Sequence, residues 1–396
     1  MRWRVAFLPL LLAVWLGGFP AGLAAGLPTY PPAALTAGGP RVTADAAILI
    51  DAATGRTLWS RHADQARAPA STTKMMTALI ALERGNLQQE VVVSAAAAAT
   101  PGSSAGLRAG DRYTLAALLR GLLLRSGNDA AVAIAQAVAG SVPAFATLMN
   151  ARAQALGLRN THFVNPHGLT EALHYSSARD LALIARAGLR LPAFAALVNS
   201  AEAQLVGTNR LRQEIRRELH NTNRLLLTYD WVDGVKTGTT NAAGNCLVAS
   251  GTRGGLRLIA VVLHSDDRWG DALRLLQWGY AHFSPVRLTP GAGALASVPV
   301  LAAQDPAQRV GVGVGHTLAV PVALDELPRL RERRVLPRAL VAPVRAGQVV
   351  GHLSLEVAGE TLAEAPLVAT GSIPRASAWR LLWRRLTPWR GRPLRG

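Results

Sequence analysis

Apolar residues fall along this chain in runs whose spacing changes from region to region, and the spacing predicts the elements. Met75-Met76-Thr77-Ala78-Leu79-Ile80-Ala81-Leu82 is apolar at helical period and follows directly on Ser71-Thr72-Thr73-Lys74. Leu115 to Leu124 is a second strongly apolar stretch. After Ser126-Gly127-Asn128 an alanine-rich helical run starts at Asp129, which puts Gly127 in a tight turn between two packed helices. Lys236-Thr237-Gly238-Thr239 then leads into Cys246 to Ser250, the turn signal Thr252-Arg253-Gly254-Gly255, and Leu256 to Val262. That pattern predicts an antiparallel hairpin. Helical character returns at Trp269 to Tyr280.

From Val286 to about Ile373 the pattern becomes one of short β-like runs broken by Gly and Pro, among them Val298 to Leu301, Thr317 to Val322 and Val349 to Val357. These predict a small all-β domain. Beyond it, from Ala376 to Thr387, Trp379, Leu382, Trp383 and Leu386 recur at helical spacing while Arg380, Arg384 and Arg385 lie largely off that stripe. This is an amphipathic helix, too short and too charged to span a bilayer but suited to lie in the plane of an anionic membrane surface. Pro388 ends it, and Arg390, Arg392 and Arg395 add positive charge. At the other end, Arg2 and Arg4 precede the apolar run Val5 to Leu16 and small residues around Gly22-Leu23-Ala24, the three parts of a secretory signal peptide. The expected division is a signal peptide over 1–24, a proline-rich linker over 25–41, a first domain over 42–283, the all-β domain over 286–373 and a basic membrane-binding tail over 376–396.

Composition narrows the reading. A formal charge of +18 allows nucleic-acid binding. The arginines are dispersed, however, and the chain carries an export signal, so an anionic lipid surface or cell-wall polymer accounts for the charge and no nucleic acid is expected. The single cysteine, Cys246, cannot form an intramolecular disulfide and is read as a small buried apolar residue. Neither His-Glu-x-x-His nor Cys-x-x-Cys occurs, and the histidines are scattered. His167 and His174 are read as loop and surface residues, and neither a metal nor a cofactor is expected.

One compositional feature changes the picture more than the rest: the chain has only two lysines, Lys74 and Lys236, every other strong base being arginine. An arginine stays protonated, whereas a lysine amine can be brought to give up its proton, so a task that arginine cannot perform would retain lysine. Lys74 closes Ser71-Thr72-Thr73-Lys74. On a helix that spacing puts both side chains on one face, with Ser71 in the first turn, where unpaired N–H groups favour a developing oxyanion. A neutral Lys74 amine could take the Ser71 proton. Alone, the pair is better read as an N-cap serine and a solvated lysine, and Ser126-Gly127-Asn128 alone fits a helix cap. Gly238, within Lys236-Thr237-Gly238, would let another backbone or a ligand approach the strand closely.

Taken in order, Ser-x-x-Lys, Ser-x-Asn and Lys-Thr-Gly form one signal, and through them the chain resembles the low-molecular-mass penicillin-binding proteins, the D-alanyl-D-alanine carboxypeptidases of peptidase family S11. The resemblance extends over Ala46 to Asp51, Pro69 to Thr77, Leu122 to Ala131 and Asn165-Pro166-His167-Gly168-Leu169, and covers most of the mature chain. It implies an α+β fold of the β-lactamase and DD-peptidase type: an antiparallel sheet carrying Lys236-Thr237-Gly238, flanked by the first and last helices, with an all-helical subdomain carrying Ser126-Gly127-Asn128. The small all-β domain and the tail helix follow.

The resemblance also implies roles. Ser71 would attack the carbonyl of the penultimate D-alanine of a peptidoglycan stem peptide, with Lys74 as proton acceptor and Ser126 relaying the proton to the leaving amine. Lys236 would assist electrostatically, Asn128 would orient the peptide amide, and the N–H groups of Ser71 and Thr239 would form the oxyanion hole. Thr237, Thr239, Lys236 and Arg268 would receive the terminal carboxylate, where the forked arginine offers two parallel hydrogen bonds. β-Lactams would acylate Ser71, and the protein would act on the outer face of the cytoplasmic membrane. Thr239 departs from the histidine that often follows Lys-Thr-Gly in this family. Two alternatives share the motifs, a serine β-lactamase and a non-catalytic peptidoglycan-binding protein. Against the first, no acidic residue between Asn128 and Lys236 stands in the Glu-x-x-x-Asn pattern of the class A enzymes. Glu171 is followed by Ala172-Leu173-His174-Tyr175.

Overall fold

The structure is a computed structural model that describes residues 39–291 and 293–386. The signal peptide, nearly all of the linker and the arginines beyond Leu386 lie outside the described residues. The chain begins with β1 (Ala46–Asp51) and β2 (Thr57–Arg61), then a 3-10 turn at Ala70–Thr73 that runs directly into α1 (Lys74–Arg84). Next come β3 (Glu90–Val92), α2 (Ala95–Ala98), β4 (Arg112–Thr114), α3 (Leu115–Leu124), α4 (Asn128–Ala139), α5 (Val142–Ala155), α6 (Ala178–Leu189) and α7 (Pro192–Asn199). β5 (Glu202–Thr208), β6 (Glu214–His220), α8 (Leu225–Thr228), β7 (Val232–Thr240), β8 (Gly244–Arg253), β9 (Leu256–Leu263) and α9 (Arg268–His282) complete the first part.

β2, β1, β9, β8 and β7 form, in that order, one antiparallel sheet. Its strands are apolar on both faces because both faces are covered. Ala47 and Leu49 of β1 share a core with Leu275 and Leu276 of α9, while Ala46, Ile48 and Ile50 point into the larger core formed with the helices. α6 is the helix that covers this second face against β1 and β9, and the first helix, α1, sits inside the helical layer against α3, α4, α5, α6 and α7. The expected flanking by first and last helices is thus corrected: α1 is apolar nearly all round, with Met75, Met76, Ala78, Leu79, Ile80 and Ala81 buried, and such a helix belongs in an interior. The second subdomain is not all-helical either, since β3, β4, β5 and β6 form a four-stranded sheet beside it. β3 and β4 are three residues each, too short for a period-2 pattern to show.

In the second part, β10 (Phe283–Leu288) pairs with β13 (Leu318–Ala323). A six-stranded sheet has the order β14 (Arg331–Val335), β16 (Val349–Val357), β17 (Glu360–Ala369), β12 (Arg309–Val314), β11 (Ala296–Leu301) and β15 (Leu340–Val341), around its own core of Val, Leu and Ala. The chain passes from one core to the other within β10: Phe283 belongs to the α9 core, and Val286 and Leu288 pack on the β-domain core. A buried ion pair joins the parts, with Arg56 Nη2 3.3 Å from Glu326 Oε2 and Arg56 Nη1 donating to Pro321 O at 2.6 Å. Helix α10 (Ala378–Leu386) ends the described chain, and Trp379 is 67% exposed and Trp383 53%. Leu382 on the same face is 48% exposed. Among the described residues no single helix is long and apolar enough to cross a membrane.

Candidate active site

The site is built where the turn before α1 meets the edge strand β7. Ser71 lies half-buried in the 3-10 turn that precedes the helix, one step earlier than the spacing predicts, and the turn is held by Thr72, whose hydroxyl donates to Pro69 O at 2.6 Å. Ala70 takes a left-handed φ of 48°, uncommon for a residue with a side chain. Against this turn runs Gly238: a Cβ there would lie 3.0 Å from the Ser71 nitrogen and 3.1 Å from Pro69 O. The close backbone approach expected at Gly238 is thus made by the nucleophile turn itself, which sets the Ser71 N–H beside the strand that carries Thr239.

Lys74 is fully buried and its Nζ has three neighbours: Ser71 Oγ at 2.9 Å, Asn128 Oδ1 at 2.7 Å and the His167 carbonyl at 2.6 Å. The last two can only accept. Asn128 is fixed in that orientation because its Nδ2 donates to Pro101 O at 2.6 Å. A neutral amine has two N–H donors and one lone pair; with both donors committed to Asn128 and His167, the lone pair is left for the Ser71 hydroxyl. Burial drives the Lys74 pKa well down, Lys236 drives it further, and Asp129 opposes both. Lys236 is also buried, and burial together with Arg268 brings it down to about 7. Neither lysine forms an ion pair among the described residues.

The remaining motif residues are tied into the same cleft. Ser126 is buried with φ at 60°, and Gly127 is squeezed so tightly that a Cβ would sit 2.6 Å from Asp129 Oδ1 and 2.9 Å from Ala105 N. Asn128 is already the first residue of α4, and both ends of its amide are engaged inside the protein. Thr237 Oγ1 is 2.7 Å from Thr222 Oγ1, while Thr222 N donates to Leu124 O, so the β7 edge is stitched to the loop that carries Ser126. Arg268 Nη1 donates to Gly238 O at 3.1 Å and to Thr239 Oγ1 at 2.7 Å, and its guanidinium stands 4.8 Å from the centroid of the Trp269 ring. Of the nine residues singled out in the sequence, Ser71, Lys74 and Asn128 share one hydrogen-bonded cluster, Gly238 presses on Ser71 from the strand that also carries Lys236, Thr237 and Thr239, Arg268 is bonded to that strand, and Ser126 stands two residues before Asn128.

Three contributors were given no role in the site from the sequence. The Asn165 to Leu169 loop supplies the His167 carbonyl, and Asn165 Oδ1 accepts from Gly168 N at 2.7 Å to hold it. Gly168 is the position where the loop touches the nucleophile turn, since a Cβ would fall 1.8 Å from Ala70 O. His167 and His174 are in the loop as expected but are buried rather than on the surface. Val164 N donates to His174 Nδ1 at 3.1 Å, so the proton of the neutral ring is on Nε2, which donates to Thr73 Oγ1 at 2.9 Å. Burial lowers the pKa of His174 to about 4 and that of His167 to about 3. Asp129, read only as the start of a helix, accepts from Ser104 Oγ and from the Ala105, Leu107 and Ala130 N–H groups, and so clamps the loop between α2 and β4 onto the start of α4. A carboxylate one residue after Asn128 was the available signal. Glu171 is exposed and accepts from Asn165 Nδ2 at 2.9 Å.

Residues 33–267 match the D-alanyl-D-alanine carboxypeptidase family, peptidase S11, and residues 296–375 match the penicillin-binding protein 5 C-terminal domain. The chain is 34% identical over 359 residues to the D-alanyl-D-alanine carboxypeptidase DacF of Bacillus subtilis, covering 87% of this chain and 90% of that one. It is 37% identical over 356 residues to DacA of Escherichia coli K12, covering 86% of each. Penicillin-binding protein 5 from Haemophilus influenzae superimposes with a TM-score of 0.70 at 31% identity, over 86% of this chain and all of that one. The Streptomyces K15 DD-transpeptidase does so with a TM-score of 0.59 at 35% identity, over 62% of this chain. With the family matched over residues 33–267 and relatives of 34% and 37% identity covering most of the chain, the chain belongs to the peptidase S11 family of D-alanyl-D-alanine carboxypeptidases.

Proposed function

We propose that this protein removes the terminal D-alanine from peptidoglycan stem peptides ending in D-Ala-D-Ala. Ser71 Oγ attacks the penultimate carbonyl as its proton passes to the Lys74 lone pair. The oxyanion forms against the N–H groups of Ser71 and Thr239 and collapses to the ester as the C–N bond breaks, and the leaving amine takes a proton through Ser126. Water then hydrolyses the Ser71 ester. Lys236 supplies positive charge behind the reacting atoms, and Arg268 with Thr237 and Thr239 receives the free carboxylate. Asn128, with its Oδ1 on Lys74 and its Nδ2 on Pro101, acts first by fixing the base, and its contact with the substrate amide is secondary. β-Lactams acylate Ser71 by the same attack. The protein works outside the cytoplasm, at the membrane surface, where α10 lies in the interface with its tryptophans in the lipid.

The observation that carries this reading is the Lys74 amine held by two obligate acceptors with the Ser71 hydroxyl as its third neighbour. The test is Ser71→Ala. Release of D-alanine from a D-Ala-D-Ala peptide and covalent penicillin labelling are both expected to vanish while the melting temperature stays within a few degrees. Labelling that survives excludes Ser71 as the nucleophile. Rapid turnover of the penicilloyl-enzyme in the unsubstituted protein would favour the β-lactamase alternative, and absence of any acylation the non-catalytic one.

A further inference from the structure

The small β domain is chemically polarised along its strands. At one end, next to the first domain, stand Glu326, Asp325 and the β16–β17 turn with Glu360, gathered around Arg56. At the opposite end lie the last residue of β11, the first of β16 and the last of β17, since Val349 pairs with Val368 and Thr370 N donates to Gly311 O at the start of β12. Here the surface is different. Leu301 and Val341 are direct partners in the β11–β15 pairing and are 56% and 64% exposed, and Val349 is 63% exposed. Arg309, Arg345 and Arg375 are exposed at the same end, where Asp305 is the single acidic residue among those described. The stem of the tail helix is pinned to this end as well: Ala376 N donates to Ala302 O at 2.8 Å, and Arg375 bridges Ala303.

We infer that this end of the β domain is itself a lipid-contacting surface, with Leu301, Val341 and Val349 entering the headgroup boundary of an anionic membrane and Arg345 and Arg375 meeting its phosphates. The inference rests on the reading of α10 as lying in that interface. Exposed aliphatics ringed by arginine match such a surface in both of its components, apolar burial and charge. They are also joined by two residues of chain to a helix whose apolar face has the same character. A patch brought to the bilayer in this way adds to the tail as a second site on one body, which raises partitioning without requiring tight binding of its own.

The full-length protein with its tail serves as the test, sedimented with phosphatidylcholine–phosphatidylglycerol vesicles. Leu301→Glu/Val341→Glu is expected to lower the partition coefficient about tenfold, with melting temperature and turnover of a soluble peptide unchanged. If glutamate lowers the melting temperature, Leu301→Ser/Val341→Ser carries the same comparison. Arg345→Glu/Arg375→Glu is expected to weaken binding severalfold on these vesicles and not on pure phosphatidylcholine. Trp379→Glu/Trp383→Glu tests the tail separately. Binding unchanged in the Leu301/Val341 variants, with release in the tryptophan variant, overturns the inference and leaves the tail reading standing. Release in the Leu301/Val341 variants alone overturns the tail reading and leaves the β-domain surface as the contact.

Discussion

Lys74 and Lys236 are both buried amines with depressed pKa values, yet their surroundings ask different things of them. Lys74 needs a lone pair; a guanidinium has none, so Lys74→Arg is expected to slow penicillin acylation by at least about a hundredfold although charge is preserved. Among the described residues Lys236 donates only to Thr237 O at 3.1 Å, and it faces Arg268 electrostatically, so Lys236→Arg should retain at least tenfold more activity than Lys74→Arg, roughly the value of one lost charge contact. Equal losses in a stopped-flow acylation assay would refute the division. The pair also sets a pH profile. Because Lys236 lowers the Lys74 pKa, Lys236→Met should raise it and move the acid limb of the acylation rate to higher pH. A limb that stays in place or moves down would show that Lys236 does not tune the base.

At the scale of elements, the turn before α1, the Asn165–Leu169 loop and β7 are three segments that hold one another. His174 belongs to this contact. Its folded pKa of about 4 lies below the ordinary 6.5, so in the window between those values the unfolded chain binds more protons. The stability that neutral His174 contributes is fully present above pH 6.5 and is lost as the pH falls toward 4. It amounts to on the order of 3 kcal/mol, and His174→Gln is expected to flatten the fall of melting temperature with pH across that window. A slope unchanged by the substitution would mean that the ring is not held neutral. The helices were legible because α1, α3 and α4 carry strong local signals: apolar runs in α1 and α3, and Gly127 before an alanine-rich run in α4. The loop was not, because Asn165-Pro166-His167-Gly168-Leu169 has no period, and its shape is set by Gly168 pressing on Ala70 from across the cleft.

For the whole molecule, the link between the two parts is short and centred on one buried ion pair. Arg56 sits in the first part with its side chain 1% exposed against Glu326, whose Oε2 also accepts from Ala323 N at 3.2 Å. Breaking one partner of such a pair leaves a buried charge alone, so Arg56→Met is expected to destabilise by about 3–5 kcal/mol, with the loss concentrated in the docking of the β domain. Differential scanning calorimetry should then resolve a second transition that the unsubstituted protein lacks. A single transition with unchanged midpoint would show that β10 alone holds the parts together. Elevated salt should release the protein from anionic vesicles only in part, since it screens the arginines and leaves the apolar contacts of α10 intact.

What the sequence determined by itself is whatever depends on neighbours along the chain. Ser71 and Lys74 share a face because they are three residues apart at a helix start, the hairpin of β8 and β9 follows from two apolar runs about a glycine turn, and the tail helix follows from its stripe of tryptophan and leucine. The choice of chemistry was legible too, since two lysines among so many arginines already mark where a proton must be released. Only the tertiary structure decided which way the Lys74 lone pair points. The two acceptors that commit its N–H groups come from 54 and 93 residues away, and no local pattern encodes a contact at that separation. The same holds for the placement of α1 in the interior, the burial of His174 and the second sheet beside the helices. Each depends on how distant segments fill a shared volume, and close packing settles that only when all of them are present.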